Sequence, residues 1–336
     1  MSLRFYIAGV SDTPLVSAEH ERVTSPLAAA LEQEGLATRS SSANSADFIV
    51  LNEAWSYKDW RYVARLEADT FAFPNSHRLY TVNSDDWATG LLRGGYLWLP
   101  ASRLTRERHR AIPWPLAPNE HVASVDADRR FVSPKYTASW RGNVTTSNVR
   151  RRILDRYGSD PRFLLEPTSS WWNHEAEEKE HYIDVILAGK FSLCPRGLAP
   201  GSFRTYESMA LSRAPVNLAD GFVPPDGPDW ASCSLQVRER EVNQLAEFLT
   251  AREGDAERLG RAARHCWEEH FAPTRIWPYI AKQLIDLVSS APTSSPQTER
   301  EIWNSVKMRQ QNGWRLDQRL SRRIRTTLAK ARGLKG

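Results

Sequence analysis

Residues Lys190 to Gly221 read KFSLCPRGLAPGSFRTYESMALSRAPVNLADG, and this stretch decides the fold. The apolar run Phe191 to Cys194 has the length and composition of a buried strand. A Pro- and Gly-rich turn follows, from Pro195 to Gly201. Ser202 suits an N-cap, and Phe203 to Leu211 predicts a helix. A second apolar run, Ala214 to Ala219, ends in Asp220-Gly221. Strand, turn, helix and strand make one unit of a parallel α/β sheet.

Such a turn has a definite chemistry. A helix N-terminus presents free backbone N–H groups and a partial positive charge, which suits a phosphate. Gly197 and Gly201 would let the backbone approach that phosphate. Arg196 and Arg204 would add charge-assisted bonds. Glu207, one turn into the helix, stands where a carboxylate would accept ribose hydroxyls. A plainer reading is equally open at this point. The turn would only redirect the chain, and Arg204 and Glu207, three apart, would form a surface ion pair of small energetic weight. The stretch holds neither G-x-G-x-x-G nor G-x-x-x-x-G-K-[ST], so neither standard nucleotide motif applies.

The order of these residues resembles the exostosin-like family, glycosyltransferase family 47. That family carries an apolar strand ending in Cys-Pro-x-Gly, then Ser-x-Arg-x-x-Glu, a small residue before Pro-Val, and Ser/Ala-Asp-Gly. Here these are Cys194-Pro195-Arg196-Gly197, Ser202 to Glu207, Ala214-Pro215-Val216 and Ala219-Asp220-Gly221. The clear resemblance runs from Tyr136 to Leu287, with a fainter echo in the first half. It implies a GT-B fold, in which two Rossmann-like α/β domains face each other across a cleft. It also implies inverting transfer from a nucleotide sugar, usually a uridine diphosphate sugar. Leaving-group charge would then be met by helix N-termini and Arg side chains, so no metal and no cofactor is expected.

Length and composition agree with this. At 336 residues the chain can hold two domains with separate cores. Thirteen Trp and ten Tyr are compatible with stacking on sugar rings as well as with core packing. Three scattered Cys exclude a disulfide framework and give no zinc-ligand spacing, which fits a cytoplasmic chain. No apolar run has the length of a signal peptide core or a membrane span. The net charge of +5 is unevenly spread. Glu299 to Gly336 holds eleven Lys/Arg and three Asp/Glu, a net of +8, which leaves the body at −3.

Along the chain, strands are expected at Leu3 to Val10, Ala46 to Leu51, His77 to Val82 and Tyr96 to Leu99. Helices are expected at Ser25 to Glu34 and Tyr57 to Leu66. This alternation predicts an open, mostly parallel sheet. Trp114 to Arg130, rich in Pro and charge, leads to the domain boundary. The second half then alternates Lys135 to Gly142, the basic helix Ser147 to Tyr157, Arg162 to Glu166, the helix Glu175 to Leu187 and the central unit. Cys233 to Val237 reads as a further strand. Helices follow at Glu241 to Arg252, Ala256 to Glu269 and Arg275 to Val288, and the last often returns to the first domain in GT-B folds. Ser289 to Gln297 is a flexible linker by composition. Glu299 to Gln311 reads as a helix and Arg315 to Lys335 as a basic, partly amphipathic segment. The expected domains are 1–130, on the acceptor side; 131–290, binding the nucleotide sugar; and 291–336, a linker and basic helical tail.

Open α/β sheets place ligands at the carboxyl ends of their strands. Arg141 and Gly142 lie at one such end, where the resembled family has an aromatic-x-Gly strand end before a basic helix. Arg150, Arg151 and Arg152 then face either phosphate or solvent. Asp220, at another strand end, would touch ligand or cap its turn. Inverting transfer needs a general base for the acceptor hydroxyl. Asp85 and Asp86, after a strand end of the first domain, lead; Glu53 and Asp12 are alternatives. Asp126-Ala127-Asp128 matches a D-x-D metal motif only superficially, because no apolar strand precedes it.

The expected function is an inverting glycosyltransferase that uses a nucleotide-sugar donor and a glycan or lipid-linked acceptor. The tail would touch an anionic membrane surface. No nucleic-acid motif accompanies the charge, so nucleic acid is not an expected partner. Two other classes compete. One is a catalytically silent glycan-binding or scaffold subunit. The other is an unrelated nucleotide-dependent enzyme such as a dehydrogenase, which the absent G-x-G-x-x-G disfavours.

Overall fold

The computed structural model describes residues 3–54, 60–86, 88–113, 119–130, 132–168 and 176–312. Two wholly parallel sheets account for its described strands. The first holds β1 (Leu3–Ile7), β2 (Ala37–Arg39), β3 (Phe48–Leu51), β4 (Leu79–Asn83), β5 (Arg93–Tyr96) and β6 (His109–Ala111), in the order β2-β1-β3-β4-β5-β6. The second holds β7 (Tyr136–Asn143), β8 (Phe163–Thr168), β9 (Gly189–Pro195), β10 (Ala214–Leu218) and β11 (Leu235–Val237), in the order β11-β10-β9-β7-β8. The main helices are α1 (His20–Gln33), α2 (Trp60–Ala68), α3 (Asn148–Tyr157), α4 (Ala176–Ala188), α5 (Arg204–Ala210), α6 (Leu245–Thr250), α7 (Ala256–Cys266), α8 (Ile276–Ser290) and α9 (Pro296–Asn304).

Each sheet is covered on both faces, as the continuous apolar runs in β3, β9 and β10 require. In the first sheet, Phe5, Phe48, Val50 and Val82 pack with Leu27 of α1 and Leu284 of α8. Ile49, Leu51 and Leu79 pack on the other face with Leu66 of α2 and Trp303 of α9. In the second sheet, Trp140, Phe191, Leu193 and Val216 pack with Ile153 of α3 and Leu245 of α6. Ile183 of α4, Met209 of α5 and Ala263 of α7 belong to the same core as Leu27 and Leu284, so one apolar core runs through both halves. Two doubly wound parallel sheets, joined by a late helix that returns to the first, form the expected GT-B layout.

The structure corrects several expected elements. The first helix begins at His20, and Pro26 sits inside it, because buried Val23 and Leu27 secure the turn on either side. The short strands β2 and β6 carry no apolar run. The expected strand Tyr96 to Leu99 ends at Tyr96, and Leu97 to Leu99 leave the sheet as buried residues. Cys233 closes a short helix, Trp230–Cys233, before β11. The helix expected from Glu241 opens as a 3-10 turn, Glu239–Gln244. α7 ends in a π turn, Trp267–Phe271. The expected flexible linker is helical at both ends and irregular only from 291 to 295: α8 runs to Ser290, Ser295 accepts from the Thr298 N–H, and Pro296 opens α9. The helix expected from Glu299 to Gln311 is broken at Ser305 into α9 and Val306–Asn312. Tyr57 to Asp59 and the segment Arg315 to Lys335 lie outside the described residues. Among those described, no helix is long and apolar enough to cross a membrane.

Candidate functional site

The carboxyl edges of the two sheets face each other. Beyond β5, Ala101 donates its N–H to the Gly221 carbonyl at 3.1 Å. Trp98 lies 6.5 Å, ring to ring, from Phe222, and Arg106 pairs with Asp226. The indole of Trp98 fills the space where Gly201 would carry a Cβ. Gly201 was expected to admit a phosphate; the described structure gives that space to Trp98 instead. A methyl group there forces the turn and the first domain apart, and overpacking of this kind costs about 1–3 kcal/mol. Gly201→Ala should therefore lower the thermal midpoint, and Trp98→Ala in the same chain should recover part of the loss. An unchanged midpoint in the single variant would contradict the contact.

The gap between β7 and β9 is where the second sheet reverses its winding, since β8 lies on one side of β7 while β9 and β10 follow on the other. Ligands of open α/β sheets bind at such a gap. Two arginines line it. Arg204, at the start of α5, is 5% exposed. Its Nε donates to the Tyr182 hydroxyl at 3.1 Å and its Nη2 to the Arg141 carbonyl. Arg150, in the first turn of α3, is 7% exposed and donates to the carbonyls of Asn143 at 2.9 Å, Arg196 at 3.1 Å and Pro195 at 3.2 Å. Both guanidiniums stand 5.8 Å from the Trp140 ring centroid. Neither forms an ion pair among the described residues. Burial, and then the charge of Arg204, bring the Arg150 pKa down to about 9. Two buried cations held by carbonyls and aromatic faces are poised for an anion.

Glu207 borders the same gap. Its Oε2 accepts from the Tyr182 hydroxyl at 2.5 Å and its Oε1 from Asn119 Nδ2 at 3.0 Å. Desolvation, and then the Glu207 carboxylate against the opposing pull of Arg204, keep Tyr182 a neutral phenol. Arg204 and Glu207 are thus joined through Tyr182, and the surface ion pair considered from their spacing does not form.

Other predicted residues have different places. The Arg141 guanidinium is held by Glu166 at 2.6 Å and Glu178 at 2.5 Å, so its carbonyl, not its charge, faces Arg204. Gly142 makes room for Arg204 and Trp140, and Gly197 for Arg150. Arg196 is paired with Glu239 at 2.5 Å. Asp220 is exposed and accepts the Glu239 N–H at 2.8 Å, which caps the following 3-10 turn. Ser202 is buried but is not the helix cap; Phe203 holds that position. Arg151 and Arg152 are exposed. Asp126 accepts the Arg129 N–H at 2.7 Å, as a turn residue does.

Of the first-domain acids, Glu53 and Asp85 meet at Asn83, at the carboxyl end of β4. Glu53 is 3% exposed, and accepts from the Tyr62 hydroxyl at 2.8 Å and from Asn83 Nδ2 at 2.9 Å. Asp85, 5% exposed, takes its backbone N–H to Asn83 Oδ1 at 2.9 Å. Asp86 is half-buried, and burial raises its pKa above the ordinary carboxylate value. Asp12 accepts from Gly9 N at 2.8 Å and from the Tyr6 hydroxyl, and closes its own turn.

The family model described as the exostosin GT47 domain matches residues 68–251, more than half of the chain. The chain belongs to the exostosin GT47 family. This exostosin chain is 37% identical over 110 residues to a probable glucuronoxylan glucuronosyltransferase of Arabidopsis thaliana, covering 32% of the chain and 22% of the relative. It is 34% identical over 140 residues to a probable glucuronosyltransferase of Oryza sativa subsp. japonica, covering 41% of the chain and 30% of the relative. The matches thus span less than a third of those relatives' own length. A glycosyltransferase structure from Rickettsia africae ESF-5 superposes with a TM-score of 0.40 at 10% identity, over 86% of the exostosin chain and 98% of the other.

Sequence reading undervalued Arg150 and missed Trp98, Trp140, Tyr182 and Asn119 as parts of the site. Arg150 was one of three consecutive arginines. The only local signal for Trp140 and Tyr182 was an aromatic residue on a strand end and on a helix.

Proposed function

We propose that the chain is an inverting glycosyltransferase that moves a sugar from a nucleotide-sugar donor, a uridine diphosphate sugar, to a glycan or lipid-linked acceptor in polysaccharide synthesis. The observation that carries this reading is the pair of buried, carbonyl-held guanidiniums of Arg150 and Arg204 at the winding reversal of the second sheet. A diphosphate there would take the donors that carbonyls leave over, and Glu207 would receive the ribose hydroxyls. Asp86, at the facing edge, would act as the base. The acceptor oxygen bonds to the anomeric carbon as its proton passes to Asp86. The bond to the phosphate oxygen breaks, and the diphosphate leaves against the two arginines. Arginine takes the role that a metal fills elsewhere, so no metal is part of the proposal. The names of the relatives point to a uronosyl donor, and the basic C-terminal segment suits an anionic membrane surface.

Thermal stability against a panel of nucleotide sugars and nucleoside diphosphates tests this. One uridine diphosphate sugar should raise the midpoint of the wild type. Glu207→Ala should unfold normally and bind that donor about tenfold or more weakly, the weight of a hydrogen bond to a charged group. No shift with any member would move the reading to a silent glycan-binding subunit.

A further inference from the structure

Arg204 and Glu207 stand three residues apart in α5, a spacing that makes side chains neighbours on one helix face. A cation and a carboxylate so placed attract each other, and more strongly where water is scarce. Arg204 is buried and Glu207 half-buried, yet no ion pair joins them among the described residues.

What stands between them is one hydroxyl. Tyr182, from α4, accepts from Arg204 Nε at 3.1 Å and donates its single proton to Glu207 Oε2 at 2.5 Å. A neutral phenol both donates and accepts, so it serves a cation and an anion at once without adding charge. Its ring centroid also lies 5.3 Å from the Arg204 guanidinium carbon. The far ends of the two side chains are held apart as well. Arg204 Nη2 donates to the Arg141 carbonyl, and Asn119 Nδ2 holds Glu207 Oε1 at 3.0 Å.

This arrangement leaves both groups with capacity to spare. Arg204 Nη1 has no hydrogen-bond partner among the described residues and is not closed off from solvent. Glu207 accepts one bond at each oxygen, where a carboxylate takes about four. A direct ion pair would consume both, the charge of one and the lone pairs of the other.

We infer that Tyr182 is a positioning residue that keeps Arg204 and Glu207 from pairing with each other, so that the cation stays available to a diphosphate and the carboxylate to ribose hydroxyls. The ligand half of this inference rests on the donor site proposed above. The other half concerns the protein alone: without the hydroxyl, the two side chains close on each other.

Tyr182→Phe tests both halves. The Tyr182 ring packs against the core shared by the two sheets, and Phe keeps that packing, so the thermal midpoint should stay near that of wild type. A crystal structure of the variant without nucleotide should show an Arg204–Glu207 ion pair. Side chains still apart would overturn the inference, whether or not nucleotide binds. Calorimetry then compares uridine diphosphate with its 2′-deoxy form. Wild type should prefer the ribose compound about tenfold or more. Tyr182→Phe should bind uridine diphosphate about tenfold or more weakly and lose the preference, which a merely structural role would not remove. Glu207→Ala should weaken uridine diphosphate in the wild-type background but strengthen it about threefold or more in Tyr182→Phe, because it releases Arg204. Further weakening in the double variant, or an intact ribose preference in Tyr182→Phe, would overturn the role. A wild type that binds neither nucleotide would overturn the donor site and the ligand half with it, and the crystal structure would still decide whether the phenol holds the pair apart.

Discussion

Replacement of Glu299 by Ala is expected to cost about 3–5 kcal/mol of folding stability, the usual penalty for breaking a buried ion pair from one side. Glu299 lies on α9, at the start of a stretch that reads from sequence as a helix of the basic tail, yet it is 1% exposed. Arg108 grips it at 2.7 and 3.1 Å, Arg93 at 3.1 Å, and the Ser294 hydroxyl at 2.8 Å. Beside it, the buried Trp303 donates Nε1–H to the Leu91 carbonyl at 3.0 Å. Removing the carboxylate leaves two buried guanidiniums facing each other, so the loss exceeds the worth of one hydrogen bond. Urea unfolding measures it, and a loss below about 1 kcal/mol would refute the description. The sign of its pH dependence follows. Burial alone would raise this carboxyl's pKa, but Arg108, Ser294 and Arg93 outweigh burial and hold it below the ordinary value. Its contribution is then complete above the unfolded carboxyl pKa of about 4.3 and is lost as the pH falls through the lower folded value. Glu299→Ala should show less acid sensitivity in that window than wild type.

The second large effect concerns the reaction. Asp86→Asn should reduce transfer by about 10²–10⁴-fold, the range for loss of a general base, with donor affinity unchanged. Asn matches Asp in shape but accepts no proton, so a structural role for Asp86 would leave the rate nearly intact. Burial raises the Asp86 pKa, so a base at this position would be lost at a higher pH than an ordinary carboxylate. The acid limb of the wild-type rate profile should sit correspondingly higher. Single-turnover transfer, with nucleotide affinity measured in parallel, separates the two steps. A comparable loss in Asp85→Asn with none in Asp86→Asn would reassign the base to Asp85.

The central unit was legible because its signals are local. Phe191 to Cys194 and Ala214 to Ala219 are apolar on both faces, as strands buried on both sides must be. The helix between them follows from the turn before it. What escaped depends on neighbours distant in sequence. Arg150, Arg151 and Arg152 look alike in the chain, and only the gap between β7 and β9 selects Arg150 for burial. Gly201 was read toward a ligand, because nothing near it in sequence announces Trp98. In the C-terminal segment, abundant Ser and Pro masked a start signal that was present: Ser295 as cap and Pro296 in the first turn. Glu299 seemed one charge in a basic tail, since its partners Arg93 and Arg108 stand about two hundred positions earlier.

The return of α8 and α9 to the first sheet bears on how the protein is made. The face of that sheet occupied by Leu66 and Leu79 is closed by Trp303, and the other by Leu284 and Leu287. These residues are made after every strand they cover. The first half of the chain therefore waits, with apolar surface uncovered, until α8 and α9 have been made, and a nascent chain halted near residue 270 would present that surface to chaperones.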